Sequence, residues 1–277
     1  MAVSWRRGAK VVALLGSAVV LTVLTQVGGL ILLLTAWVAR LRRWPVGLSL
    51  LTFLAVYGLA TAVVVPPLAK LGGRDRLPCL VGKGETYGAV NPLLCMLNRN
   101  YARPEARTAL AALAGHMAEA YPATVTRYLD AGFPFFDGFP LPPHLSHRDG
   151  LKVDLAYLYR ERSGAPVSDG TASPIGYWAY EGPKSGEARP CAGYRRANLR
   201  WDFDVLQPLA TRRADPVRTA EMLRWLTTEG RAFGVKKILL EPHLKARWAP
   251  DVDMIRFQGC RAARHDDHLH LELSKAN

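Results

Sequence analysis

The stretch His265-Asp266-Asp267-His268-Leu269-His270-Leu271-Glu272-Leu273 decides how this chain is read. Three of the seven histidines fall within its first six residues. From His268 onward, polar and apolar residues alternate, the period-two pattern of a β-strand with two unlike faces. His268 and His270 share one face; Leu269, Leu271 and Leu273 form the other. Two imidazoles side by side on a rigid strand suit a metal ion, whereas the bland reading is a polar rim on a surface strand. The irregular spacing and the interleaved Asp and Leu argue against an expression tag.

A second stretch supplies partners. His144-Leu145-Ser146-His147-Arg148-Asp149-Gly150 runs into Leu151-Lys152-Val153-Asp154-Leu155-Ala156-Tyr157, whose later part alternates like a strand. Asp154 sits between Val153 and Leu155. An acid inside an apolar strand costs free energy unless a metal, a buried arginine or a backbone turn partners it. A catalytic zinc takes three protein ligands and keeps one position for water. His147, Asp154 and one of the terminal histidines are the candidates, and the chain has no HExxH helix to offer instead.

The intervening chain reads as α+β, with an antiparallel sheet as the simplest way to join its elements. Residues 104–120 form a helix by the spacing of Leu110, Leu113 and Met117; His116 within it is given no role. Residues 125–128 suit either a strand or a continued helix. Gly132 to Pro143 packs four Phe and four Pro into a structured loop. Tyr177, Trp178 and Tyr180 line a cleft or sit on a hairpin surface. Residues 200–206 alternate Asp202 and Asp204 with apolar residues. Asp215-Pro216 caps a helix running to about Thr228. Val235 to Leu240 is a buried strand with Glu241-Pro242-His243 at its end, and residues 244–248 form a short helical turn.

The first seventy residues are of another kind. Val11 to Ala39 and Trp44 to Ala69 carry no charge, and each exceeds the roughly 20 residues that cross a bilayer. The expectation is a membrane hairpin over 1–70, with the N-terminus and a second domain, 71–277, on one side. Basic residues at Arg6, Arg7 and Lys10, at Arg40, Arg42 and Arg43, and at Lys70, Arg74 and Arg76 leave the orientation open. All four cysteines follow the spans. That favours an oxidising compartment and two disulfides, with Cys79–Cys95 the favoured pair because the two are close in sequence. The net charge of +13 is partly membrane-flanking and otherwise scattered. No basic helix or aromatic-interleaved strand accompanies it, so nucleic acid is not an expected partner. An anionic polymer or anionic lipid suits such a surface better.

The run Ser146-His147-Arg148-Asp149-Gly150-Leu151-Lys152-Val153-Asp154 resembles the first motif of the LAS metallopeptidases, the group of lysostaphin-type enzymes, D-Ala-D-Ala peptidases and the hedgehog fold. The stretch from His265 to His270 resembles the second motif, with penicillin-insensitive murein endopeptidases most alike. The likeness spans roughly residues 130–273 and rests on the two motifs together. It implies a zinc peptidase acting on peptidoglycan peptides, anchored in a bacterial inner membrane with the domain in the periplasm. It also implies that His147, Asp154 and His270 bind Zn2+, and that His268 and His265 serve in proton transfer. Two further expectations stand beside these. Glu241 is a rival general base, and His144 is not a ligand. The competing functions are an inactive member that binds zinc or cell-wall peptide, and a peptidase facing the cytoplasm.

Overall fold

The computed structural model describes residues 2–193 and 204–275. Arg195, Arg196 and most of the alternation read over 200–206 lie outside the described residues. The chain opens with α1 (Ala2–Thr25), α2 (Gly28–Arg42), α3 (Val46–Leu59) and, after a π-helical turn at Ala60–Val64, α4 (Val65–Leu71). Two helical stretches are long and apolar enough to cross a membrane, Gly8–Thr25 and Val46–Leu71. They differ from the sequence expectation in one respect: the first apolar run is not a single helix. Gln26 takes a left-handed φ of 66°, and the chain folds back there. α2 packs along α1 because Gly29 has no side chain; a Cβ at that position would run into Thr22 and the Ala18 carbonyl. Small residues at such contacts let helix backbones approach closely.

The second part of the chain contributes β1 (Asp75–Arg76), β2 (Tyr87–Ala89), α5 (Pro92–Met96), β3 (Tyr101–Ala102), α6 (Pro104–Ala120), β4 (Thr126–Tyr128), β5 (Lys152–Ala156) and β6 (Tyr159–Arg160). There follow β7 (Arg213–Ala214), α7 (Pro216–Thr227), β8 (Val235–Leu239), α8 (Pro242–Trp248), β9 (Ile255–Arg256) and β10 (His268–Leu273). Asp215 caps α7 as its sequence requires, accepting from the Val217 and Arg218 amides.

The fold is α+β, built on a six-stranded sheet in the order β2-β4-β5-β10-β8-β9. Its centre is antiparallel, as expected: β4–β5, β5–β10 and β10–β8. The two outer pairs, β2–β4 and β8–β9, are parallel, which makes the sheet mixed. The alternation of β10 sets the layers. Leu269, Leu271 and Leu273 are buried with Val153, Leu155 and Ile238 in one core. Leu110, Leu113 and Met117 of α6 and Met222, Leu223 and Leu226 of α7 belong to the same core. The opposite face carries the imidazoles. Cys79–Cys95 and Cys191–Cys260 are disulfide-bonded.

Candidate metal centre

Strand register assembles the site. His270 of β10 lies opposite Asp154 of β5, and His268 opposite Ala156. Directly opposed residues share a face, so two segments more than a hundred residues apart present His268, His270 and Asp154 together. His147 arrives from the loop before β5. Its Nδ1 lies 2.6 Å from the Ala131 carbonyl, which leaves Nε2 to face the cluster. His147 Nε2 lies 3.1 Å from His270 Nδ1 and 3.2 Å from Asp154 Oδ1; His270 Nδ1 lies 2.8 Å from the same oxygen.

Asp154 uses its other oxygen differently. His144 Nδ1 is 2.9 Å from Oδ2, and the Tyr177 hydroxyl donates to Oδ2 at 2.9 Å and to Asp130 Oδ2 at 3.0 Å. His144, His147 and Asp154 form a buried group whose ligand atoms all lie within 4.8 Å and could hold a metal ion. His144, expected not to be a ligand, thus lies within the cluster, its ring 5.5 Å from His147 and 5.6 Å from His268. Asp130, beneath, is held by a bidentate contact with Arg99 at 2.5 and 2.9 Å.

The remaining histidines border this group. His268 Nδ1 lies 2.5 Å from Asp267 Oδ1, and its ring stands 4.9 Å from His265. Asp267 is fixed in turn by the Trp178 amide at 2.6 Å. His268 Nε2 and His265 Nδ1 are buried without a hydrogen-bond partner in the structure. Glu241 accepts from the His265 amide at 3.3 Å and from Gln258 at 2.7 Å, so its carboxylate fastens the segment that carries His265. His243 contacts the Glu181 carbonyl at 2.8 Å. Tyr180 receives the Arg264 guanidinium on its ring at 3.8 Å; of the three aromatics read as lining a cleft or sitting on a hairpin surface, Tyr177 contacts Asp154 and Asp130 through its hydroxyl.

The electrostatics separate the imidazoles. Burial opposes ionisation of Asp154, but His147, His144 and His268 around it hold its carboxyl well below the usual range. Burial also disfavours a charged His268, yet Asp267 and Asp154 outweigh it and hold this imidazole up at about 9. Burial dominates at His270, which is pushed down to about 4, and at His265, which is held well below its usual value. His268 is thus held towards its protonated form, and Asp154 likewise raises His147 against the opposing pull of burial, whereas His265 and His270 are held towards the neutral form.

The donor set fits zinc. Tetrahedral coordination at about 2.0–2.1 Å spaces ligand atoms by about 3.3 Å, close to the separations among His147, Asp154 and His270. His147 already has the carbonyl contact at its far nitrogen that orients metal-bound imidazoles. The Asp154 carboxylate and the neighbouring imidazoles are of the hard or borderline ligand types that zinc accepts. No protein-family model matches this sequence, and no curated protein matches it.

Proposed function

We propose that the chain is a membrane-anchored zinc metallopeptidase of hedgehog-like fold, hydrolysing an amide bond in the cross-link peptides of peptidoglycan. The observation that carries this reading is the convergence of His147 Nε2, Asp154 Oδ1 and His270 Nδ1 within 3.2 Å of one another. These three residues hold the metal. Bound zinc supplies Lewis-acid chemistry, making water more acidic and a carbonyl more electrophilic. His265, neutral at working pH, takes the proton from the attacking water. His268, oriented by Asp267, delivers a proton from Nε2 to the departing amine. The two imidazoles divide acid and base roles because their surroundings push them in opposite directions. His147, His265, His268 and His270 are all buried. The compartment is the periplasmic side of a bacterial inner membrane, in keeping with the two disulfides.

One feature favours a second reading. Structural zinc sites are closed, with four protein ligands. Here His144 could complete such a set, with its Nδ1 2.9 Å from Asp154, giving a protein that binds zinc or cell-wall peptide without turnover. Two variants separate the readings. In the enzyme, His144→Ala keeps zinc, and His265→Ala keeps zinc while losing muropeptide cleavage. In a closed structural site, His144→Ala loses the metal and wild type cleaves nothing.

A further inference from the structure

The membrane helices are joined to the second domain so closely that the direction of each can be read. The turn between α1 and α2 is fastened to the domain: Asn98 donates to the Thr25 carbonyl at 3.2 Å, and Gln26 accepts from the Phe135 amide at 2.9 Å. Because α2 folds back from that turn, its C-terminal end, Arg40-Leu41-Arg42-Arg43, lies away from the domain, as does the start of α1. The third helical stretch returns from there, and Val65 and Ala69 of α4 pack with Tyr101 of the domain. Arg6, Arg7, Lys10, Arg40, Arg42 and Arg43 therefore gather at the far end. At the domain end, Lys70 is exposed and Arg76 half-buried, while Arg74 is buried against Asp137 and unavailable to headgroups, so fewer free cations stand there than at the far end. A basic far end is the cytoplasmic end by the positive-inside rule, and the disulfides place the domain in the opposite, oxidising compartment.

Length then points to what covers the base of the domain. The 15 residues of α2 reach about 22 Å, short of the roughly 30 Å of a bilayer core. The Tyr57 hydroxyl donates to the Met96 carbonyl at 2.5 Å, setting α5 against the middle of the third stretch. Tyr57 stands only about 17 Å along that helix from Val46, within the thickness of the core. Large apolar side chains are exposed on α5 and the loop after Gly132, Leu93 52%, Met96 60% and Phe136 68%, and further along the third stretch at Leu68 49% and Leu71 86%.

We propose that Leu68, Leu71, Leu93, Met96 and Phe136 form a lipid-immersed rim, seating the domain in the membrane leaflet opposite Arg40–Arg43. The membrane is the partner, α2 is a short third crossing that puts the N-terminus opposite the domain instead of on its side as a two-helix hairpin would, and the rim supplies the depth that α2 lacks. The His/Asp centre is thereby held at the membrane surface, since the loop carrying Phe135 and Phe136 leads directly into His144. The inference rests on the membrane reading and not on the zinc chemistry.

The test uses the full chain in phospholipid vesicles. All described cysteines are disulfide-bonded, so an introduced cysteine is the thiol that labels. An environment-sensitive fluorophore is placed at Leu93→Cys, Met96→Cys and Phe136→Cys, and at Asp251→Cys as control. Asp251 is 99% exposed and adjoins β9, at the sheet edge remote from α5. Rim labels should emit at shorter wavelength and be quenched several-fold more by nitroxide lipids than by iodide, with the reverse at Asp251. Iodide quenching at all three rim positions equal to that at Asp251 would overturn the proposal. In sealed cells an impermeant maleimide should reach Asp251→Cys from outside and Leu41→Cys only after permeabilisation. Equal labelling of both from outside would also overturn it. No readout depends on metal or cleavage, so these failures are distinct from failure of the peptidase reading.

Discussion

At the scale of single residues, the centre is a balance of buried charge. Arg99 and Asp130 are both buried and paired bidentately. Removing one partner of such a pair leaves an uncompensated charge that costs about 3–5 kcal/mol. Arg99→Met should therefore destabilise the protein by that amount in denaturant unfolding, and adding Asp130→Asn should recover part of the loss. The imidazoles make stability depend on pH in two senses. In the metal-free protein His268 is held up at about 9 against an unfolded value near 6.5. Its contribution is complete below about pH 6.5 and is lost as the pH rises through about 9. His270, pushed down to about 4, works the other way: its contribution is present above about pH 6.5 and fades as the pH falls towards 4. The wild-type advantage in unfolding free energy over His268→Gln, both chelator-treated, should shrink between pH 6.5 and 9, with wild type losing more. Parallel curves would remove His268 from this role.

At the scale of elements, β10 joins core and site in one strand. Leu271 is 2% exposed on the apolar face while His270 beside it faces the centre. Leu271→Ala should cost about 2–5 kcal/mol in stability, as for other large-to-small core changes, while leaving the metal ligands in place. What the sequence could reveal follows from the same strand. Period-two alternation in His268–Leu273 and the lone acid in Leu151–Tyr157 were local signals, and register brought them together. The cap at Asp215 and the spacing in α6 were equally local. The turn at Gln26 was not legible, because a left-handed residue inside an uncharged run leaves no compositional mark. The parallel edge strands β2 and β9, three and two residues long, are too short to show a period. His144, Asp130 and Tyr177 enter the centre through tertiary packing. The His144-Leu145-Ser146-His147 spacing was the one hint for His144, and no local signal tied Asp130 to Asp154.

At the scale of the whole molecule, covalent links and contacts with the N-terminal helices hold the site-bearing segments. Cys191–Cys260 spans 69 residues of sequence and ties the segment after Tyr177 to the approach to His265. A disulfide closing a loop of that size contributes about 4 kcal/mol in the chain-entropy model. Cys191→Ser should lower stability by several kcal/mol in thermal unfolding under oxidising conditions. An unchanged midpoint would mean that the segment is held by packing alone. Asn98 and Arg99, adjacent in sequence, contact the α1–α2 turn and Asp130 respectively. The α1–α2 turn and the floor of the centre are thus held by one short backbone segment, which ties the N-terminal helices to the architecture of the site.

The central claim is a zinc centre built by His147, Asp154 and His270, and metal content tests it most directly. The purified full chain should carry about one zinc per molecule, and His147→Ala should carry none while keeping the wild-type circular dichroism. A wild-type protein that folds equally well and binds no zinc would contradict the account.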